Sequence, residues 1–570
     1  MHIAHQIQEY IHQTLNSLGI NIDFDVHLEH PGDLSHGDYS TNVAMVLAPR
    51  LQRKPQDIAL QIVSNMNESV HPHIEKVEVA GPGFINIFLK KTFFNQELNT
   101  ILEQGDNYGG LDTYKDKNIL VEHSSPNLFK AFHIGHLMNN TIGESLARLY
   151  TKAGASVTTI SYPSDVSLGI GKAVWQLLQY GVEKLEEHKS IEDKIHFLGE
   201  CYVNGTRAYD DDPTLEKEIR EITQDIYQSR THLDSYQAYL LGKDINLEYF
   251  KGVTSRLGSH FDGYIYESEA GEIGKDIVLE NTPLIYSESD GAVIYEGEKY
   301  GLHTRVFINK EGNPTYEAKD TGLLKIKFDR YAPDLSLLVT DNQQAEYYKV
   351  VLDAAGKINK EWKEKTIHAT HGRMQFKGQK MSSRLGNTPL VTDILNEVNE
   401  EVRQRASDRE LSDQQSDVIS IGALKYAILR TQAGKDINFD PDTSLSFEGD
   451  SGPYLQYTYA RCISLIEKAD SFGIDVKNSH MRPIDMDLTN LERCMYRFPE
   501  VIGTAVNQRH PHHIVTYITE LAQHFNTWYG NTKIVDDSNE ASYKIMMVRG
   551  MAHILKNSLW LLGIDAPEKM

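Results

Sequence analysis

Cysteine is scarce in this sequence of 570 residues, and its three cysteines lie far apart. Because Cys201, Cys462 and Cys494 form no C-x-x-C pair, they exclude a typical zinc ribbon and provide no disulfide framework. Such a chain suits a reducing compartment. We therefore expect a cytoplasmic protein, and we predict no protein-bound metal.

Long apolar runs are also missing. The run Leu559–Ile564 is much shorter than a bilayer requires and is interrupted by Gly563. Residues 1–10 mix His, Gln and Glu with isolated apolar residues, unlike a secretory signal. Internal repeats and low-complexity segments are absent as well. These absences predict no membrane partner and exclude a repeat architecture.

Positive charge is in deficit, with 57 Lys and Arg against 80 Asp and Glu and a formal net charge of -23. This balance argues only weakly against a nucleic-acid partner, because an RNA-binding enzyme needs a local basic path rather than a basic body. The content of 40% hydrophobic and 24% charged residues is typical of a globular protein. The length predicts several domains.

Three compositional blocks divide the sequence and predict an α/β fold. Residues 1–111 contain helical patterns and two strand-like runs around a Gly-Pro-Gly turn, which predict a small α+β module. Residues 112–394 open with a strand, a turn and a helix, as in a Rossmann-type nucleotide-binding domain. This block contains a polar, helical insertion at about 180–261. Residues 395–570 are predicted to be almost entirely α-helical.

The segment that carries most chemical information joins the first predicted strand of the second block to a helix. His133, Gly135 and His136 stand at the predicted helix start, where free N–H groups and the helix dipole favour phosphates. Gly135 leaves room for a flat adenine, and the two histidines can donate hydrogen bonds to phosphate oxygens. Taken alone, these histidines are equally consistent with helix caps or metal ligands.

A second informative segment, Gly378–Asn387, follows a predicted strand at 367–370. Its residues Lys380, Met381 and Ser382 lie on a loop that is rich in glycine and serine. Cations on such a loop form a mobile clamp for a leaving pyrophosphate, although such a loop alone is more often simply solvated. Its position after the first motif favours ATP-dependent chemistry.

The two segments together resemble the H-I-G-H and K-M-S-K-S signatures of class I aminoacyl-tRNA synthetases. The longer string V-E-x-S-S-P-N-x-x-K-x-x-H-x-G-H resembles the arginyl-tRNA synthetases, as do the segments Tyr316–Asp320, Asp450–Arg461 and Leu561–Met570. The resemblance spans nearly the whole chain and implies a Rossmann-type catalytic domain between an N-terminal tRNA-contacting module and an anticodon-binding domain. The implied reaction converts L-arginine and ATP, carried with Mg²⁺, to arginyl-adenylate and pyrophosphate. Arginine then passes to the 3′-terminal adenosine of arginine tRNA in translation.

The resemblance also assigns site residues. For catalysis it implies Lys130, His133, Gly135, His136, Lys380 and Ser382. The class I signature has its second lysine where this sequence has Ser383, and the resemblance implies that Lys130 takes over the role of that lysine. The implied ATP-binding residues are His133, Gly135, His136, Lys380 and Met381. The implied arginine-binding residues are Glu122, Asn127, His133, Tyr316, Asp320 and Gln344.

The chemistry of arginine favours an acidic pocket. A guanidinium is planar and permanently charged, so carboxylates in fixed geometry recognise it best. Asp320 follows Tyr316 by one helical turn, which places both on one face of a predicted helix. The alternatives are an ordinary surface pair for these two residues and a helix-capping role for Glu122.

Aromatic side chains are the candidates for RNA contact, since unpaired bases stack on them. The resemblance places Phe84 and Asn86 against the tRNA D-loop, whereas Phe84 read alone is equally an inward residue of a strand. Near the anticodon it favours Tyr454, Tyr457, Tyr529 and Met570, although aromatic residues of helices more often belong to a core. Arg461 is expected to pack or pair within its domain, and the family pattern suggests a monomer.

The block Ser164–Gly169 departs from the family pattern, because it keeps Asp165 but lacks the expected tryptophan and glutamine. Three other functions therefore stay open: a class I synthetase for another amino acid, a small-molecule nucleotidylyltransferase, and a catalytically inactive tRNA-binding protein. The complete H-x-G-H motif argues against the last of these.

Overall fold

The computed structural model describes residues 2–68, 71–130, 132–376, 390–406, 411–474 and 486–570. Its helices within these ranges are α1 Ile3–Ser17, α2 Val43–Leu51, α3 Pro55–Glu68, α4 Lys91–Gln104, α5 Ile134–Lys152, α6 Leu168–Tyr180, α7 Lys184–Glu187, α8 Ile191–Asp211, α9 Pro213–Tyr227, α10 Asp234–Arg256, α11 Glu267–Glu280, α12 Tyr316–Tyr331, α13 Ala345–Ile358, α14 Lys360–Glu364, α15 Val391–Arg405, α16 Asp413–Leu429, α17 Pro441–Ser444, α18 Gly452–Ser471, α19 Asn490–Met495, α20 Phe498–Gln508, α21 His512–Asn531 and α22 Ala541–Leu561. The strands are β1 Tyr39–Thr41, β2 Ile74–Ala80, β3 Phe84–Leu89, β4 Asn118–Glu122, β5 Ser156–Ser161, β6 Gly263–Tyr264, β7 Ser287–Ser289, β8 Ala292–Tyr295, β9 Arg305–Ile308, β10 Leu335–Asp341, β11 Thr366–His371, β12 Met374–Phe376 and β13 Ile437–Phe439.

The N-terminal module is a three-stranded antiparallel sheet packed on α1, α2 and α3. The strand order is β1-β3-β2, so β3 is central, and its Ile85 and Ile87 face the core that α1 completes with Ile7. The turn before β3 requires glycine at position 83, where φ is 133° and a Cβ atom would lie 2.8 Å from Pro55. The predicted α+β character of this segment is confirmed.

A parallel five-stranded sheet forms the centre of the molecule. Its strand order is β11-β10-β4-β5-β6, and every pair within it is parallel. The carboxyl ends of β4 and β10, at Glu122 and Asp341, therefore meet at one edge, where α5 begins after β4. This edge is where ligands bind in open α/β sheets. The predicted strand-turn-helix opening is confirmed.

The polar insertion is helical, as predicted, but it is not a separate unit. Its helices α8 and α10 share one hydrophobic core with α15 and α16, to which Leu198, Phe250, Leu395 and Ile428 all belong. The insertion therefore buttresses the helical part of the chain. A small antiparallel sheet of β7, β8 and β9 packs beside α13 through a separate cluster.

The carboxyl-terminal helices pack on one another and on the catalytic sheet. Their core includes residues of α18, α21 and α22 together with Leu146 of α5 and Leu337 of β10. The Ser145 hydroxyl donates to the Leu561 carbonyl at 2.8 Å, which fastens α5 to the end of α22. In the part of the chain that the structure describes, no helix has the length and apolar content that a membrane crossing needs.

Candidate active site

The turn between β4 and α5 is held in place by the side chain of Asn139, which belongs to α5. Ser124 takes a left-handed backbone conformation, with φ 57°, and its N–H donates to Asn139 Oδ1 at 2.5 Å. The Asn139 side chain also donates from Nδ2 to the Val339 carbonyl of β10 at 2.6 Å. Since both strands anchor it, this turn fixes where α5 begins.

His133 and His136 cap the amino terminus of α5 reciprocally. The Gly135 N–H donates to His133 Nδ1 at 3.1 Å, and the His133 N–H donates to His136 Nδ1 at 3.0 Å. Because both Nδ1 atoms accept, each neutral ring carries its proton on Nε2. Burial, with help from Lys130, lowers the pKa of both imidazoles. Two neutral Nε2–H donors therefore lie at the positive end of the helix dipole.

The surroundings of the two histidines restrict how the rings are placed. His136 is buried and stacks on Phe132 with 4.6 Å between ring centroids, whereas His133 is half-buried, 4.2 Å from the His136 ring. A Cβ atom at position 135 would lie 3.0 Å from the His133 ring. Gly135 therefore leaves space for the capping imidazole in this structure. Exposed Lys130 lies 4.7 Å from the centre of the Tyr202 ring.

Asp320 of α12 has a buried carboxylate close to Glu122, the last residue of β4. It is 7% exposed, and its Oδ2 accepts a 2.6 Å hydrogen bond from the Tyr347 hydroxyl. Desolvation raises its pKa to about 7, although the Tyr347 hydrogen bond opposes the rise, and the nearby Glu122 and Glu267 add to it. Within the described residues Asp320 forms no ion pair. A cationic ligand would stabilise its charged form.

Two buried ion pairs flank Asp320. Lys327 Nζ donates to Glu122 Oε2 at 2.6 Å, and Lys319 Nζ donates to Glu267 Oε2 at 2.7 Å. Each lysine neutralises one glutamate, so these five groups together keep a surplus of one carboxylate, that of Asp320. A buried unpaired charge is costly, and a single guanidinium balances this one.

Three other residues proposed for arginine are exposed: Tyr316, Asn127 and Gln344. Tyr316 is 54% exposed at the start of α12, with the Lys319 ammonium 5.4 Å from its ring centre. Asn127 and Gln344 are both exposed. The backbone of Asn127 bridges to Ser164, which places it next to the turn that precedes α5. Tyr316 and Asp320 therefore lie on one helix, as their spacing predicts, but at very different depths.

Lys380, Met381 and Ser382 lie outside the described residues. The strand that directly precedes them, β12, pairs in parallel with β13. Asp165, which the sequence left without a role, is fully buried and accepts hydrogen bonds from Lys243 Nζ at 2.7 Å and from the Ser268 hydroxyl at 2.8 Å. It therefore joins α10 to α11.

The structure brings three of the proposed anticodon residues into one cluster. The Arg461 guanidinium lies 4.7 Å from the centre of the Tyr457 ring and 4.8 Å from that of Tyr529. Asn526 accepts from Arg461 and donates to the Tyr454 hydroxyl at 2.8 Å. The expectation that Arg461 pairs within its domain is confirmed. Tyr529 is 38% exposed, so this cluster reaches the surface.

The remaining proposed RNA contacts are dispersed. Phe84 is half-buried and lies on the face of β3 opposite to the core residues Ile85 and Ile87, so it is not the inward residue of its strand. Asn86 is 3% exposed, and its Oδ1 accepts from Ser40 Oγ at 3.0 Å. Met570 packs against the core that the insertion shares with α15 and α16.

Comparisons with known proteins identify this arrangement. A family model described as the catalytic domain of class I (R) tRNA synthetases matches residues 97–440. The chain is therefore a class I tRNA synthetase. Models of an arginyl-tRNA synthetase N-terminal domain and of a DALR anticodon-binding domain match residues 5–89 and 455–570. The chain belongs to the arginyl-tRNA synthetase family.

Individual relatives agree with this assignment. An arginine–tRNA ligase of Lactobacillus delbrueckii subsp. bulgaricus is 30% identical over 560 residues, which cover 96% of this chain and 96% of the relative. One from Clostridium perfringens is 27% identical and covers 100% of this chain and 99% of its own length. The arginyl-tRNA synthetase structures of Thermus thermophilus and Plasmodium falciparum share the fold. Their TM-scores are 0.79 and 0.81, with 22% and 19% identity, and they cover 99% and 100% of this chain and 100% and 99% of their own.

Sequence reasoning missed the buried cations and two tyrosines of the site. Lys319 lies inside the segment that pointed to Asp320, and Tyr347 and Tyr348 lie three and four positions after the predicted Gln344. Lys327 had no signal of its own, because a lysine on a helix ordinarily faces water. The available clue was its helical spacing from Asp320, Leu323 and Leu324, which places Lys327 on the same face of α12 as these residues.

Proposed function

We propose that this chain activates L-arginine with ATP and transfers the arginyl group to the 3′-terminal adenosine of arginine tRNA. The observation that supports this best is the surplus buried carboxylate of Asp320, which lies between two neutralised glutamates at the sheet edge. A carboxylate in this setting favours a permanent cation over neutral amino acids.

The guanidinium would lie against Asp320, with Tyr316 covering it from the rim and Tyr347 fixing the carboxylate. Glu122 is engaged by Lys327, so we assign it to shaping the pocket and to the ammonium end of the substrate. We propose that Asn127, His133 and Gln344 complete the pocket from its exposed side.

ATP would lie over the start of α5. The Nε2–H groups of His133 and His136 point to a helix terminus that favours phosphate, and we propose that they stabilise charge developing on the α-phosphate. Lys130 and the segment with Lys380, Met381 and Ser382 would bind the leaving pyrophosphate, together with Mg²⁺ carried by ATP.

The reaction needs no protein nucleophile. The arginine carboxylate attacks the α-phosphorus, the bond to the β-phosphate bridging oxygen breaks, and pyrophosphate leaves with that electron pair. A hydroxyl of the terminal adenosine then attacks the adenylate carbonyl, and AMP leaves. The protein contributes alignment and charge stabilisation.

We propose that tRNA contacts the module 1–111 through the strand of Phe84 and Asn86, in which Phe84 meets the RNA and the buried Asn86 positions the strand. The helical block 395–570 would contact tRNA through Tyr454, Tyr457, Tyr529 and Met570. The exposed edge of the cluster around Arg461 supports a stacking role for the tyrosines. The block 112–394 would carry the chemistry, in a cytoplasmic monomer.

The deciding experiment is arginine-dependent exchange of pyrophosphate into ATP, measured with and without arginine tRNA. Exchange that needs arginine supports the proposal, and dependence on tRNA would match the need for tRNA in the activation step that the family resemblance implies. Exchange with another amino acid would instead indicate a synthetase of different specificity. If no exchange occurs while tRNA still binds, the chain is a binding protein.

A further inference from the structure

Three histidines form a cluster far in sequence from the catalytic motifs. His510, His512 and His513 lie in and just after the turn between α20 and α21. One ring nitrogen from each lies within 4.8 Å of one from each of the other two. All three side chains are half-buried, so the rings are partly shielded yet reachable.

The turn that presents these rings is rigid. Arg509 ends α20 in a left-handed conformation with φ 58°, and the His510 N–H donates to the Ala505 carbonyl at 2.9 Å. Pro511 is buried, and the Ile514 N–H donates to its carbonyl at 2.9 Å. The backbone therefore holds the histidines in place before any ligand arrives, which lowers the entropic cost of binding.

Two of the three rings, those of His512 and His513, have a nitrogen lone pair available. His513 Nε2 lies 2.8 Å from Gln508 Oε1, an atom that can only accept, so Nε2 carries the proton and Nδ1 is a free acceptor. Such an outer hydrogen bond is what a metal-binding imidazole usually makes. His512 Nδ1 is buried and has no hydrogen-bond partner among the described residues.

A path leads to the cluster. His510 lines a cleft of about 270 Å³ that is also lined by His368 and Thr370 of β11. A hydrated ion can enter here, and water can remain as a fourth ligand.

From this geometry we propose that His510, His512 and His513 bind one divalent transition-metal ion of the kind that prefers imidazole, such as Zn²⁺. Three histidines and one water suit the tetrahedral preference of Zn²⁺. The exposed cation Lys435 interacts unfavourably with a positive charge at His512, so it weakens the site without contacting the metal. The site is independent of arginine binding and of the proposed function.

The test is calorimetric titration of the metal-free full chain, without a histidine tag, with Zn²⁺ alone. We expect one equivalent to bind and the double variant His512→Gln/His513→Gln to bind about 100-fold more weakly or worse, because even losing an outer hydrogen bond costs about 10-fold to 100-fold. Gln508→Ala should weaken binding about tenfold. Lys435→Gln should strengthen it by about twofold to threefold, as expected for an exposed charge.

Two controls isolate the site. The pair His71→Gln/His73→Gln removes two neighbouring histidines whose rings lie 6.0 Å apart, and His524→Gln removes one member of a second potential cluster with Cys494 and Glu520. Both should leave Zn²⁺ affinity unchanged, with circular dichroism confirming that every variant folds. Absence of binding by the wild-type chain, or equal binding by the His512/His513 double variant, overturns the proposal.

Discussion

The Tyr347 hydroxyl donates a 2.6 Å hydrogen bond to Asp320 Oδ2, although the two residues belong to different helices. This bond stabilises the charged form of a carboxyl whose pKa burial raises to about 7. Asp320 therefore titrates near neutral pH and changes its affinity for a cation as it does so. Several measurable consequences depend on this pair.

Arginine affinity should fall as the pH decreases through 7. A guanidinium binds the ionised carboxylate, so binding to protonated Asp320 must release a proton, and the dissociation constant should rise up to about tenfold per pH unit below 7. Calorimetry at pH 6 in buffers of different ionisation enthalpy should detect release of one proton. A dissociation constant that stays flat between pH 8 and pH 5.5 would show that Asp320 does not contact the substrate.

Asp320→Asn should abolish arginine-dependent exchange while stabilising the fold. The pKa of Asp320 in the folded protein lies above the ordinary value of 3.8, so this carboxyl lowers the free energy of unfolding as the pH rises from about 4 to about 7. At pH 8 the amide should raise the free energy of unfolding by up to about 4 kcal/mol. Urea denaturation without arginine measures this gain. Destabilisation at pH 8 would contradict the account.

Tyr347→Phe should weaken arginine binding about tenfold or more at pH 7, because a hydrogen bond to a charged group contributes about 1.5–3 kcal/mol. Its loss raises the pKa of Asp320 further and leaves the carboxylate less often charged. The matched control is Tyr295→Phe, which removes a similar 2.6 Å bond to Asp353 outside the site. Equal effects of the two substitutions would indicate a general loss of stability.

His136→Ala should reduce adenylate formation by about 100-fold to 1,000-fold, the usual effect of losing one donor to developing charge. Pyrophosphate exchange at saturating arginine measures it. His136→Gln keeps a side-chain acceptor for the His133 N–H and serves as the control for helix capping. Wild-type exchange in His136→Ala would exclude His136 from the reaction.

Glu500→Gln should loosen the N-terminal module from the helical domain. The carboxylate lies 3.0 Å from His2 and from His30, and these contacts, against the opposing effect of burial, lower its pKa to about 2. The lowered pKa implies that Glu500 contributes about 3 kcal/mol to the free energy of unfolding at pH values above 4.5, its ordinary pKa. This contribution is lost as the pH falls towards 2. Hydrogen exchange of the module should accelerate. Glu520→Gln, which breaks a looser pair with His524, should not have this effect.

Tyr457→Ala should raise the KM for tRNA in aminoacylation by about tenfold or more, since one base stacked on an aromatic ring is worth about 1–3 kcal/mol. The affinity for arginine should stay unchanged. Tyr457→Phe retains the ring and should behave as the wild type. A change in arginine affinity equal to that for tRNA would exclude a specific RNA contact.

The sequence predicted those elements of the fold whose pattern is long or strongly apolar. Strand β4 and helix α5 were predicted within two residues because Ile119–Val121 is an uninterrupted apolar run before a turn. Strands β1, β6 and β7 were missed. They have two or three residues each, too few to show an alternating pattern.

The predicted site was incomplete for a different reason. Glu122 and Asp320 were predicted from motifs, but the two lysines that neutralise the buried glutamates are far from them in the sequence. Lys327 lies 205 positions from Glu122, and Lys319 lies 52 positions from Glu267. Ion pairs between distant segments leave no periodic pattern in a sequence. The depth difference between Tyr316 and Asp320 is likewise set by packing against α13, which helical spacing alone does not specify.

The bond between Ser145 and the Leu561 carbonyl joins residues 416 positions apart, and Arg148 donates to the neighbouring Trp560 carbonyl at 2.9 Å. During translation, α5, which bears His136, is therefore synthesised long before α22, the helix to which these two bonds join it. Until residues 541–561 leave the ribosome, the part of α5 that α22 covers remains exposed and open to chaperones or to misassociation. Messages cut short before this point should yield products for proteolysis, even though every catalytic motif has already been synthesised.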